Sequence, residues 1–460
     1  MSATTTNPLR NRRRWWATRL VILVLFFAAL SAAYRYVLAQ VVAAKLEAIR
    51  RAGYPVTLAE LDKWYPQTPA GKNGAEVFGV AFAKLMEGPS PVPLSRVVPA
   101  DLASHATPLS EAVKQAVASL LASNAEAVAL LHEGAASKRS RYPLDLGRLT
   151  LLPYPHLMNL HRSAYLLELE AIGSADQQNP ELAARSVQSL LGLAASLTTE
   201  PLVRSHLARI ECQKIAVSSL QSVFNKTVLS DSELGSLTVD FNEADKPECL
   251  ARAFAGQRCI GVCGFDMMTE TMDFSKLPSG RRRPWWQQVF IALNLYFISP
   301  EFLSYPSGLV QWDKLRYLQF MDQYVTAAEA DFPDRLASAR SLQRALRQLP
   351  RFYVFTGQWL RAMNGTGIIL RDASTVARLR AARTATAIER FRLAHGEPPE
   401  TLAALTPTYL KTVPTDPFDP ASTGLRYKKL TKGYIVYSVG EDGHDDGGDA
   451  EKDIPFAVER

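Results

Sequence analysis

At 460 residues the chain has room for an anchor and two or three domains, and 47% apolar with 21% charged residues is the composition of a globular protein with a sizeable core. The net charge of +7 is not a nucleic-acid signal: Arg10, Arg12, Arg13, Arg14 and Arg19 crowd one end, and no RNP-type pattern, zinc-finger spacing or basic helix with stacking aromatics follows. Cys212, Cys249, Cys259 and Cys263 form no CxxC pair, which gives no support to a thioredoxin-like or zinc-ribbon protein. They read as small buried thiols or, on an exported chain, as one or two disulfides among the last three.

The first element expected is a membrane helix. Leu20 to Tyr34 is apolar apart from Ser31, and extending the run to Trp15 and Leu38 gives about 24 residues, enough to cross ~30 Å of hydrocarbon. Arg19 and Arg35 sit where long side chains snorkel, and Trp15, Trp16, Tyr34 and Tyr36 suit the two interfaces. The arginine cluster places the amino terminus in the cytoplasm and the bulk outside it. Two other readings stay open. One is a cleaved signal peptide with apolar region Leu20–Leu30 and a small-residue site at Ser31-Ala32-Ala33; the other is a buried soluble helix.

From 41 to 370 apolar residues recur at helical spacing. Thr57 to Glu60 is a capping-box signature for a helix through Trp64, and Thr107-Pro108 opens one reaching about His132. Helices follow over about 156–173, over 180–198 with Asn179 as cap, and over 201–223. Alanine-rich runs such as Leu190-Leu191-Gly192-Leu193-Ala194-Ala195 allow close helix approach. Residues 225–283 hold glycines, prolines and three of the cysteines, and read as loops and short helices. The stretch RRRPWWQQVFIALNLYFISP at 281–300 is too short to span a membrane; it reads as a core helix with a basic entry or as a surface-lying segment. Residues 310–346 are amphipathic, with a break at Pro333. The array is an irregular, solenoid-like helical domain without a 34-residue repeat signature. No HExxH, GxSxG, SxxK or phosphate loop occurs, so no catalytic residue is assigned, and His156, His161 and His206 read as satisfied structural histidines.

Past Asp372 the pattern changes. Residues 374–395 predict a helix capped by Ser374 and stopped at Gly396. A Pro/Asp turn covers 413–420, and 425–430 with 433–438 alternate as a hairpin. Residues 441–453 then place seven acids among glycines, against one lysine.

The pieces Phe391-Arg-Leu-Ala-His-Gly396-Glu-Pro398, Pro414-Thr-Asp416-Pro417-Phe418, Tyr427, Tyr437-Ser438-Val-Gly440-Glu-Asp442-Gly443 and Asp453-Ile454 occur in this order. Over about 85 of the 460 residues this resembles the globular domain of the type II secretion major pseudopilins. Residues 1–40 contain no glycine–phenylalanine junction of the kind at which those proteins are processed, and about 330 residues separate the apolar segment from the module. The resemblance implies a calcium-binding loop with Asp442 and Asp453 as first ligands, Asp449 and Asp445 as second choices, and carbonyls near Ser438 and Glu441 completing the shell. Calcium's demand for hard oxygens suits such a loop. The residues alone equally suit a solvated mobile tail.

The expected protein is therefore mainly α. It has a basic tail and transmembrane anchor at 1–40, a helical domain at 41–370, and a small α+β pseudopilin-like module at 371–460. Its expected role is that of a single-pass envelope scaffold or interaction protein in the bacterial cytoplasmic membrane, bulk in the periplasm, with unidentified protein partners. The alternatives are an accessory of a type II secretion or pilus-like machine, or an enzyme with a dispersed site.

Overall fold

The computed structural model describes residues 8–69, 71–85, 105, 107–137, 139–146, 154–271, 309–351, 353–421 and 423–460. The helices are α1 (Pro8–Arg51), α2 (Leu58–Trp64), α3 (Gly74–Ala83), α4 (Glu111–Ser123), α5 (Ala125–Ala135), α6 (Pro155–Asp176), α7 (Pro180–Ala195), α8 (Val203–Lys226), α9 (Asp231–Ala244), α10 (Glu248–Thr271), α11 (Leu309–Glu329), α12 (Asp334–Arg347), α13 (Val354–Met363) and α14 (Gly365–His395). Strands β1 (Arg426–Lys429), β2 (Tyr434–Ser438) and β3 (Ile454–Val458) follow. The fold is mainly helical, with one small sheet. The chain divides into two compact units.

The first unit comprises Met1–Thr57, Arg258–Met321 and Leu346–Met363. Helix α1 has no glycine or proline after Pro8, and it ends where Gly53 takes a φ of +84°. Its final turns bury Val42 and Ile49 in a small core with Val56, Val262 and Leu318. Its earlier turns turn apolar side chains outward: Leu20 is 62% exposed and Phe26 61%. It is the one helix among the described residues long and apolar enough to cross a membrane, a test that a signal sequence also passes. A second cluster gathers Phe265, Tyr317, Phe355 and Trp359, with Phe265 and Trp359 ring centroids 5.0 Å apart. Asp313 orders this region by accepting the N–H groups of Phe355 (2.9 Å) and Thr356 (3.1 Å) at the start of α13.

The second unit comprises Leu58–Gln257, Asp322–Ala345 and Asn364–Arg460. Helices α6, α7 and α8 pack consecutively, as short connections dictate. Asn179 accepts the Leu182 N–H at 3.2 Å and Pro180 occupies the first turn of α7. A continuous core runs from Phe78 on α3 through Leu190, Leu220, Phe224 and Leu237 to Leu379 and Ile388 on α14. It ends on Tyr434, Val436, Phe456 and Val458 of the sheet. The residues expected to form a separate module at 371–460 thus share their core with helices beginning near residue 75.

Several expectations are corrected. The helix placed at 374–395 starts at Gly365, capped by Asn364, whose side chain accepts the Gly367 N–H, so Ser374 lies inside it. The stop at Gly396 holds, with φ +87°. The helix expected from Thr107 to His132 is two, α4 and α5, divided at Asn124. Residues 225–283, read as loops and short helices, contain α9, closed by a full capping box between Ser230 and Glu233, and the 24-residue α10. The glycines of α10 are points of close approach rather than breaks: a Cβ on Gly256 would fall 1.7 Å from the Pro201 carbonyl oxygen, and one on Gly264 2.3 Å from the Trp359 ring. The four cysteines are thiols. The basic-aromatic stretch at 281–300 lies outside the described residues.

The sheet is antiparallel in the order β1-β2-β3, with Arg426 opposite Tyr437 and Tyr434 opposite Val458. The hairpin was legible; β3 was not. Its outer edge is closed by Asn225 at the end of α8, whose amide donates to the Ala457 carbonyl (3.0 Å) and accepts the Glu459 N–H (2.8 Å).

Candidate functional site

The acidic loop joins β2 to β3. Its hub is Asp416, 1% exposed, from the Pro/Asp turn. That carboxylate accepts the N–H groups of Phe418 (3.0 Å) and Val439 (2.9 Å) and the Ser438 hydroxyl (2.6 Å), and so ties the turn to the end of β2. Four glycines in the loop, Gly440, Gly443, Gly447 and Gly448, hold positive φ. At Gly440 a Cβ would strike the Lys452 carbonyl at 2.1 Å, which fixes how closely the two ends of the loop meet.

The four residues expected as calcium ligands are placed differently from one another. Asp442 and Asp449 are exposed, and each accepts a local N–H, of His444 and Glu451 respectively, both at 3.0 Å. Asp445 accepts the Tyr437 hydroxyl (2.9 Å) and the Gly447 N–H (3.0 Å); the first of these bonds leads in holding its carboxyl below the usual range. Asp453 turns inward at 4% exposure, with Oδ2 accepting the Gly448 N–H at 2.7 Å. Burial, reinforced by the charges of Asp446 and Asp445, raises its pKa, and the Gly448 and Asp446 N–H groups only partly offset this. Its Oδ1 and the Oδ2 of Asp446 are buried acceptors without a well-formed hydrogen bond, while Asp446 Oδ1 pairs with Lys452 at 2.8 Å. Among the described residues no three His, Cys, Asp or Glu side chains are gathered for a metal. Among the described residues the four carboxylates expected as ligands are therefore not gathered at one point, and the loop's two buried acceptors left open are Asp453 Oδ1 and Asp446 Oδ2.

Among the described residues the helical body holds three histidine–carboxylate pairs. His156 Nε2 lies 3.1 Å from Glu200 Oε1, which also accepts the Ser205 hydroxyl, and Tyr142 stacks on the imidazole. His206 Nε2 lies 3.0 Å from Asp372 Oδ1, and Arg335 holds the other oxygen at 3.1 Å. Burial alone would raise the Asp372 carboxyl, but His206 and Arg335 keep it below its ordinary value. The third pair is His132 on α5 with Glu170 on α6: Nε2 to Oε2 is 2.8 Å, and the opposite ring nitrogen, Nδ1, is 2.7 Å from the Ser189 hydroxyl on α7. Ser186, one turn before Ser189, also donates to Glu170 at 2.7 Å.

The third pair opens on a cavity. His132 and Ser189 line a cleft of about 770 Å³, together with Arg139, Arg185, Gln188 and Lys246. No motif marks it: His132 and Glu170 lie 38 positions apart and no pattern in the sequence joins them to Ser189. Comparison with known proteins returns no matching family model, no matching curated protein and no matching solved structure.

Proposed function

We propose that this chain is a single-pass envelope protein. In this reading α1 holds it in the bacterial cytoplasmic membrane with the amino terminus cytoplasmic, and the remainder stands on the far side as a surface for protein partners. The observation that carries the reading is the outward apolar surface of α1. Leu20, Ile22, Leu25 and Phe26 are each at least 60% exposed, and Arg19 lies over the Trp15 ring, 3.4 Å from its centroid, at the start of this surface. A surface so apolar is costly in water and at rest in lipid.

The carboxy-terminal part is proposed to be pseudopilin-like, its acidic loop stiffened by calcium held by Asp453 and Asp446. The order helix, hairpin, acidic loop and closing strand supports that assignment, and with it a second reading as an accessory of a secretion or pilus-like machine. Co-purification dominated by secretion subunits favours the second reading over the first.

The test of the anchor is fractionation of cells making the full chain. Expected is a protein that stays in the membrane pellet through alkaline carbonate and, in spheroplasts, loses its bulk to external protease. A carbonate-soluble product whose amino terminus begins just after Ser31-Ala32-Ala33 would instead establish a cleaved signal peptide and remove the anchored reading.

A further inference from the structure

We propose that the cleft of the helical body is an esterase site, with Ser189 as nucleophile, His132 as general base and Glu170 as its orienting carboxylate, acting on a small carboxylic ester that bears an anionic group. Three observations point there. The first is connectivity. In the tautomer with Nε2 donating to Glu170 Oε2 at 2.8 Å, His132 presents the Nδ1 lone pair to Ser189, and the serine hydroxyl donates to it at 2.7 Å. A hydroxyl on a base that is in turn held by a carboxylate is the arrangement an activated serine requires. The roles of the two ring nitrogens are exchanged relative to the chymotrypsin arrangement, which leaves the proton path intact. Glu170 Oε2 also takes the Ser186 hydroxyl, as Glu200 Oε1 takes that of Ser205; what marks out the His132 pair is the Ser189 hydroxyl on the opposite ring nitrogen.

The second is positioning. A Cβ on Gly192 would lie 2.5 Å from the Ala135 carbonyl oxygen, so α5 and α7 touch backbone to side-chainless backbone at that point. Three residues before Gly192 is Ser189, and three before Ala135 is His132. The contact sets the two helices in parallel register and delivers both side chains to one level. The third is the cleft itself, large enough for a small organic molecule. Arg139, Arg185, Arg209 and Lys246 line it against Asp240 and Glu243, and Asp240 is already engaged by the Gln188 amide at 2.8 Å. Arg185 stands one turn before Ser189 on α7, where a guanidinium can face the acyl oxygen.

In the step proposed, Ser189 Oγ bonds to the ester carbonyl carbon as its proton passes to His132 Nδ1. The carbon–oxygen bond to the alcohol then breaks, and the departing oxygen takes that proton. Water, deprotonated by His132, cleaves the acyl-serine, and the proton returns to Ser189 Oγ. Ester and water become acid and alcohol, with no other reactant.

The test uses the full chain in detergent. A fluorophosphonate probe is expected to label Ser189, located by peptide mass mapping. 4-Nitrophenyl acetate and the mono-4-nitrophenyl ester of glutaric acid should both be hydrolysed, the anionic ester at least about tenfold better in kcat/KM, a preference lost in Arg185→Gln. Ser189→Ala and His132→Gln should lower kcat by at least about 100-fold while melting near the wild type, and Glu170→Gln should move the pH profile of kcat/KM. Wild-type protein that takes no probe and hydrolyses neither ester above the buffer rate overturns the site. So does a Ser189→Ala chain that melts like the wild type and turns over equally fast. Equal turnover of the two esters overturns the anionic specificity.

Discussion

Glu168, two residues before the Glu170 that holds His132, is 8% exposed on α6, and burial alone lifts its pKa from 4.5 to about 7. The native chain therefore keeps a proton that the unfolded chain gives up near its ordinary value. Stability from this group is whole below pH about 4.5, falls as pH rises towards about 7, and is then level. The shift corresponds to on the order of 3 kcal/mol. Glu168→Gln should be close to neutral at pH 4 and stabilising at pH 8, read from urea midpoints at the two values. Equal effects at both pH values would remove the buried-acid account. A lone glutamate in a leucine-rich stretch is visible in sequence; its protonation is not, because that depends on which helix covers it. The same limit hid Ser189 and His132, whose meaning lies in a hydrogen bond between two helices.

At the scale of elements, periodicity was legible wherever leucine and polar residues alternate at helical spacing, as in α6 to α8, and where caps such as Asn179 mark the ends. The run around Gly192 was read as permitting close approach, and Gly192 does meet Ala135. The same logic applied to Gly256, Gly261 and Gly264 would have recovered α10, but glycine spacing alone does not distinguish a packed helix from a loop. Strand β3 escaped because Ile454-Pro-Phe-Ala-Val carries a proline, which an edge strand tolerates. The acidic loop that precedes β3 carries its own prediction. A cation bound only by the folded loop adds stability by mass action, about 2.7 kcal/mol at a hundredfold excess over its dissociation constant. The full chain in detergent should melt higher in calcium than in EGTA, and Asp453→Asn should erase the difference while Asp442→Asn leaves most of it. A melting curve indifferent to chelator would return the loop to the hydrogen bonds it already makes.

Across the whole molecule, the boundary read near residue 371 came from a change of texture, helix giving way to hairpin and acidic loop. The core does not observe that change. On α14 the run Ala381, Ala382, Thr384, Ala385, Thr386, Ala387, Ile388 and Glu389 is buried almost without interruption. Alanine and threonine give little hydropathy contrast, so a helix enclosed on every side read as one-sided in sequence. Around it, Arg390 pairs with Asp231 at 2.7 Å and Arg380 with Asp245 at 3.0 Å, Asn225 closes the edge of β3, and the Arg460 guanidinium reaches the Phe224 carbonyl and Glu389. The exposed ion pairs count for little; the weight lies in Leu379, Ile388, Phe456 and Val458 sharing a core with Leu220, Val223 and Phe224. A fragment of residues 365–460 cut from the chain loses one wall of that core and exposes it to water. It should show no cooperative thermal transition and should bind ANS, whereas the full chain melts cooperatively. If the fragment instead melts in one sharp step, with dispersed amide resonances, the last fifth of the chain is a domain in its own right and the shared core is not what holds it together.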